Sequence, residues 1–236
     1  MKYSITEVSI KDTYSMKLLG SFYNHIYVKS FPDINKRESL ENIIDFLTKK
    51  YDNLYGNNNY HILILHNDMN IMGGIIFDYF SESNSGVIEF ICISESFKRN
   101  GLASILYNKA IDMINQDAKN IFFINADFIF CEIDYITPEQ EDLSYIHFWN
   151  KKGFKKLDFK YIQPPLSAEK DAVETLHLIV NIQSKEKVSN IHKLDVLSFI
   201  FDYTTYAMNI ENPEKNPTID IMIKNMPLRV NLIDIV

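Results

Sequence analysis

Glu89 stands alone as an acid in a nine-residue apolar run, GVIEFICIS, at positions 86–94. A carboxylate in such a place can attract an ammonium group and take its proton, directly or through water. Partial burial would raise its pKa towards a useful range. The bland alternative is a structural carboxylate paired with a neighbouring strand or helix. Just downstream, Lys98, Arg99, Asn100, Gly101, Leu102, Ala103 and Ser104 form a different device. Gly101 lets a ligand approach the main chain closely, and small Ala103 keeps the opening clear. Free backbone N–H groups there suit a phosphate, and Lys98 and Arg99 either add charge or are solvated surface residues. Glu132 is a second candidate acid, near the end of the next apolar run.

These groups need a strand and a helix to hold them. The run at 86–94 has the composition of a buried strand bounded by a turn. Leu102, Ile105, Leu106, Ala110, Met113 and Ile114 fall on one helical face. The turn between them aims several N–H groups at one point, and the helix dipole adds partial positive charge. The run FFINADFIFCEI, ending near Ile133, reads as a long strand from Ile121, with Asn125-Ala126-Asp127 as a bulge or an edge.

Ile91-Cys92-Ile93, Phe97-Lys98 and Gly101-Leu102-Ala103 resemble the signature of the GNAT superfamily of acyl-CoA N-acyltransferases. In that signature an apolar strand end is followed by Arg or Gln, two residues, Gly, any residue, and Gly or Ala. Lys98 stands where the family has Arg or Gln. Downstream, Phe148-Trp149-Asn150-Lys151-Lys152-Gly153-Phe154 resembles the Phe-Tyr-x-x-x-Gly-Phe segment, with Trp149 in place of the usual Tyr. The order of elements fits from about Lys2 to Asn181.

The resemblance implies an α/β fold with a mixed, mostly antiparallel central sheet flanked by helices. It implies acetyl-CoA as co-substrate, no metal, and a primary amine, small or on a peptide, attacking directly. Pantetheine would lie on backbone groups of Ile91, Cys92 and Ile93, and the pyrophosphate on N–H groups from Lys98 to Ala103, with Ser104 nearby. Several family members carry an acid at the spacing of Glu89, near the acceptor. The first two helices usually wall the acceptor site, which brings in Tyr23, Tyr27 and Phe31; aromatic core packing is their ordinary alternative. The family tyrosine protonates the leaving thiolate, a task indole N–H cannot perform. Tyr145, one helical turn earlier, or Tyr161 could replace it, and a thiol of pKa about 8.5 also leaves tolerably unaided. Trp149 would then be a packing wall in the cofactor site. The rival reading is a degenerate domain that binds CoA or another ligand without turnover, motivated by Lys98 and Trp149.

Composition sets the outer bounds. With 46% hydrophobic residues the chain suits one globular domain, or one domain plus an appendage. A net charge of -7 argues against nucleic acid as the main partner and allows a cationic substrate. Cys92 and Cys131 sit in apolar runs and imply neither a disulfide framework nor a zinc site. The six histidines show no ligand spacing. No signal core or membrane-spanning run is present, so a cytoplasmic protein is the default. A homodimer is compatible with the sequence.

The other elements follow from periodicity and punctuation. A first strand covers 2–10. Asp12 caps a helix with Leu19, Phe22, Tyr23, Ile26 and Tyr27 on its stripe. A second helix runs from about Lys36, and strands cover 61–65 and 69–80, with Gly73-Gly74 marking a bend or a close approach. Thr137-Pro138-Glu139-Gln140 starts a helix that ends at Lys152, with Gly153 as its cap. Residues 154–161 and 173–182 close the sheet. Residues 1–182 are expected to form the acyltransferase domain and 183–236 an extension packed on it, with a helix from Val188 towards Met208. Residues 218–236 stay ambiguous.

Overall fold

The structure is a computed structural model that describes residues 2–135, 143–167, 169–184 and 188–235. The expected helix start at Thr137-Pro138-Glu139-Gln140 lies outside the described residues. The protein is α/β, with a mostly antiparallel sheet flanked by helices. Two compact units divide the chain, residues 1–81 with 88–125, and residues 82–87 with 126–236.

In the first unit β1 (Ser4–Glu7), β2 (Asn59–His66), β3 (Ile71–Phe80) and β4 (Ser85–Ile93) lie in that order, β4 starting in the second unit. Helix α1 (Thr13–Phe22) is capped by the Asp12 carboxylate on the Tyr14 and Ser15 N–H groups. It loosens into a π-helical turn (Tyr23–Tyr27) and ends in the short α2 (Val28–Ser30). Helix α3 (Leu40–Tyr51) begins at Ser39, whose hydroxyl accepts from Asn42 N–H. The expected start near Lys36 falls instead on a single 3-10 turn, Ile34–Lys36. Leu19, Phe22, Ile43, Phe46 and Leu47 are buried, as their spacing requires.

Gly73 and Gly74 mark close approaches. A Cβ on Gly73 would stand 2.6 Å from the Cys92 carbonyl oxygen, and one on Gly74 2.8 Å from the Phe22 ring. The β2–β3 register also shifts between Leu65 and His66. Helix α4 (Leu102–Phe122) is longer than its apolar stripe suggested and absorbs Ile121 and Phe122, which had been expected in a strand. Phe123 ends it with φ +63. Such a residue leaves strand geometry, so β5 (Phe128–Asp134) starts only after the 123–127 connection. Phe123 and Ile124 are exposed despite their apolar character.

Between β2 and α4 lies a charged bridge that spacing did not reveal. His61 Nδ1 is 2.7 Å from Glu7 Oε1, and Nε2 is 3.0 Å from Asp117 Oδ2. Lys50 Nζ is 3.0 Å from the same Glu7 oxygen. Burial alone would lower the His61 pKa, but hydrogen bonds to Asp117 and Glu7 raise it above 6.5. A raised histidine stabilises most when protonated, below the unfolded value, and this contribution fades as pH rises through the folded one. His61→Leu is therefore expected to cost roughly 2 kcal/mol at pH 6, after discounting for the partly exposed Glu7 carboxylate. The deficit should shrink above neutrality, as urea unfolding at the two pH values would show. An equal deficit at both would mean that only the stacking of His61 on Phe77, 4.9 Å between centroids, is lost.

In the second unit the strand order is β5, β7 (Leu176–Ile182), β6 (Lys155–Leu157), β9 (Arg229–Ile233), β8 (Asn190–His192). Helix α5 (Ser144–Lys151) ends at Gly153, which has φ +81 and takes the left-handed position expected of it. The strand expected over 154–161 is only three residues long, and Gln163 makes an isolated bridge to Val173 before two prolines end the pairing. The expected single helix from Val188 is a correction. Asn190–His192 pair with β9, and only then does α6 (Lys193–Tyr206) begin, capped by His192. The ambiguous end contains α7 (Pro217–Asn225), with Pro217 in its first turn, and β9.

Candidate active site

Strand β4 delivers its end to a loop with two left-handed residues, Arg99 at φ +64 and Gly101 at φ +75. Helix α4 starts immediately after, and no side chain caps its first turn. The N–H groups of Leu102, Ala103 and Ser104 precede the first intrahelical donor, Ile105, which bonds the Gly101 carbonyl at 3.2 Å. A Cβ built on Gly101 would meet nothing within 4 Å, so the space above this backbone is open. An uncapped terminus of a 21-residue helix, open to the outside, has the donors and the dipole that a pyrophosphate requires. Asn100 braces the loop by donating to the Phe97 and Lys98 carbonyl oxygens. Lys98 forms an exposed ion pair with Glu95.

Ile91 is half-buried, while Cys92 and Ile93 are buried. Burial pushes the Cys92 thiol up to about 12, against a hydrogen bond with Ser30 and the Lys98 charge, so this cysteine is no nucleophile. The π-helical turn places Tyr23, Tyr27 and Phe31 differently from one another. Tyr27 has no exposed surface. Its hydroxyl accepts from Glu38 N–H at 2.9 Å, and its ring meets Phe90 edge-on at 5.0 Å. Tyr27 therefore supports the site from within, while Tyr23 and Phe31 keep surface.

Glu89 has a partner that sequence reasoning missed. Its side chain hydrogen-bonds the carboxyl of Asp78 on β3, which is 4% exposed. Burial pushes Asp78 up to about 7, and the bond with Glu89 opposes that rise. Two carboxyls in contact cannot both ionise cheaply, so the pair holds one proton across a range of pH. Asp78 lies in the run IMGGIIFDYF, where it is the only acid; that was the available signal.

The second unit carries the remaining candidates. Glu132 on β5 accepts hydrogen bonds from the Tyr161 and Tyr203 hydroxyls. Tyr145 is half-buried on α5. Trp149 is buried, with Phe148 and Phe154 packed edge-on, each 4.9 Å away. Among the described residues no group of histidines, cysteines and acids is arranged to hold a metal ion. No described helix is long and apolar enough to cross a membrane.

Residues 22–127 match the Acetyltransferase (GNAT) family, a span that includes α3, β2 to β4, the Gly101 loop and α4. That span is somewhat less than half of the 236-residue chain. Several solved structures share the fold. A GNAT-family protein from Bacteroides thetaiotaomicron superposes with a TM-score of 0.61 at 18% identity, covering 88% of this chain and 99% of its own. A structure from Salmonella typhimurium that holds its cofactor acetyl-CoA has a TM-score of 0.52 at 14% identity, over 80% and 98% of the two chains. The PaiA N-acetyltransferase from Thermoplasma acidophilum, in complex with coenzyme A, gives 0.50 at 12%, over 77% and 99%. No curated protein matches in sequence. The open, uncapped Gly101 turn lies inside the matched span, at the stretch where the family resemblance puts the pyrophosphate.

Proposed function

We propose that the protein transfers an acetyl group from acetyl-CoA to a primary amine by direct attack. The observation that carries this reading is the Gly101 turn, uncapped and open at the head of α4. The thioester supplies an activated acyl group, and the chain has three tasks. The N–H groups of residues 102–104 and the dipole of α4 hold the pyrophosphate. The end of β4 offers backbone groups of Ile91 to Ile93 to the pantetheine arm. Glu89, sharing a proton with Asp78, takes the proton that the amine must lose.

Protonation of the leaving group needs no dedicated residue. The thiolate is a fair leaving group at neutral pH. Trp149, where the family usually has tyrosine, is packed into its own unit and has no acidic proton to give. The net charge of -7 suits a cationic acceptor.

The test is thiol release from acetyl-CoA by the full-length protein. The amine panel spans polyamines, free amino acids, and peptides bearing a free N-terminus or lysine. Turnover of at least one class is expected, with acetylated amine equal to thiol released. Acetyl-CoA binding without consumption across the panel would favour the alternative of a ligand-binding domain, to which Lys98 and Trp149 also point.

A further inference from the structure

A cleft of about 320 Å³ opens in the first unit, between the loop that follows α3 and the C-terminal end of α4. That volume lies at the lower end of the range of small-molecule sites. Its lining is rich in one side chain. Asparagines at 53, 57, 58, 59 and 120 share the wall with Lys50 and Asp117, and the stretch NLYGNNN at 53–59 supplies four of the five. Asn53 and Gly56 stand at φ +58 and +61, so this stretch turns sharply twice and brings its carboxamides round to α4.

Three of these carboxamides are held in a fixed sense. Asn58 Oδ1 accepts from the Ser81 N–H at 2.7 Å and from the Ser81 hydroxyl at 3.0 Å. Two donors on one oxygen exclude the flipped amide, so Asn58 presents its NH2 group, for which no acceptor stands among the described residues. Asn59 does the reverse. Its Nδ2 donates to Asp117 Oδ1 at 3.0 Å, which leaves its carbonyl oxygen to accept. Asn120 Oδ1 accepts from Gln116 Nε2 at 2.9 Å and leaves its NH2 group to donate. The charges in the wall are matched from within. Lys50 Nζ is bound to Glu7, and Asp117 Oδ2 is bound to the buried His61. An anion placed here would meet the oxygens of Asn59 and Asp117. A cation would meet Lys50 and two NH2 groups. A hydroxyl both donates and accepts, so it satisfies either kind of partner. Tyr55 and Ile121 supply carbon surface for the C–H face of a ring.

We propose that this cleft is a second binding site, which takes one ring of an uncharged polyhydroxylated ligand, a sugar or a cyclitol. Asn58 and Asn120 donate to its hydroxyl oxygens, and Asn59 accepts from one of its hydroxyls. The wall is tied down by hydrogen bonds to Ser81 and His61 before any ligand arrives, so binding orders few side chains. From Ser104 to Asp117 is roughly 20 Å along α4, so the cleft is no part of the pyrophosphate cradle at the other end of that helix. The proposal stands on the cleft alone and does not rest on the acyl-transfer reading.

The experiment follows the side-chain NH2 signals of Asn58 and Asn120 by NMR in the full-length protein, with glucose, galactose, N-acetylglucosamine and myo-inositol as probes. At least one probe is expected to shift both signals saturably, with a Kd of about 1 mM. Asn58→Asp keeps an oxygen for Ser81 but removes the NH2 donor. Asn120→Ala removes a donor at an exposed position. Each should weaken that probe about tenfold, the effect of one lost hydrogen bond. Acetyl-CoA affinity should be unchanged in Asn120→Ala, and a parallel loss there would overturn the separateness of the two sites. No saturable shift with any probe at about 50 mM, well above the expected Kd, overturns the proposal. Saturable binding that both variants leave intact does so too; if Asn58→Asp does not fold, Asn120→Ala decides by itself. Phosphate or spermidine moving the same signals at lower concentration than every sugar would overturn the choice of an uncharged ligand.

Discussion

Gly101→Val is expected to weaken acetyl-CoA binding roughly 100-fold, the loss of two N–H to phosphate bonds at about 1.5 kcal/mol each. Gly101 sits at φ +75, so a β-branched residue there costs about 1–2 kcal/mol of backbone energy. No protein atom lies within 4 Å of the added Cβ, so the fold itself has room for it. The new side chain instead occupies the space in which a phosphate would approach residues 102–104. Gly101→Asn separates the two effects, because asparagine visits the left-handed region readily yet still fills that space. Calorimetry with acetyl-CoA should show weakened binding in both variants. The ligand-induced rise in Tm should also vanish in both at micromolar acetyl-CoA. Wild-type affinity in both would remove the pyrophosphate from this turn.

This turn was legible in the sequence because everything that makes it is local. A strand, a glycine in a left-handed position and a helix start lie within about twenty residues, and each has its own composition signal. The Asp12 and Ser39 caps and the Gly153 terminator are local too. What stayed hidden depends on partners far apart in the chain. Tyr203 and Glu132 are separated by 71 positions, and His61 and Asp117 by 56. No spacing rule connects such pairs before the sheet has formed. The end of α4 was hidden for another reason. Ile121 and Phe122 suit a strand by composition, and only the left-handed Phe123 shows where the helix stops. In the tail, pairing with β9 overrides the helical spacing of Val188 and Ile191.

Glu89→Gln is expected to lower kcat/KM for amine acetylation about 100-fold or more, within the range that a positioned base supplies. The loss should be greatest at acid pH, where free amine is scarce and a proton acceptor matters most. Acetyl-CoA affinity should hardly change, because the pyrophosphate contacts lie in the Gly101 turn. Asp78 provides an internal control on the same pair. Asp78→Asn keeps a hydrogen-bonding partner for Glu89 but removes the competing charge, so activity should survive and its acid limb should move to lower pH. Stability should respond in the opposite sense to the usual carboxylate. Between about pH 4 and 7, native Asp78 keeps a proton that the unfolded chain releases, so its burial weakens folding as pH rises through that window. Asp78→Asn should erase this slope and stabilise the protein at pH 8 by roughly 2–4 kcal/mol, as urea unfolding across the window would report. If Glu89→Gln instead retains full activity while its Tm falls, the pair is a buried structural element, and the proton acceptor must be sought elsewhere, with Glu132 the first residue to test.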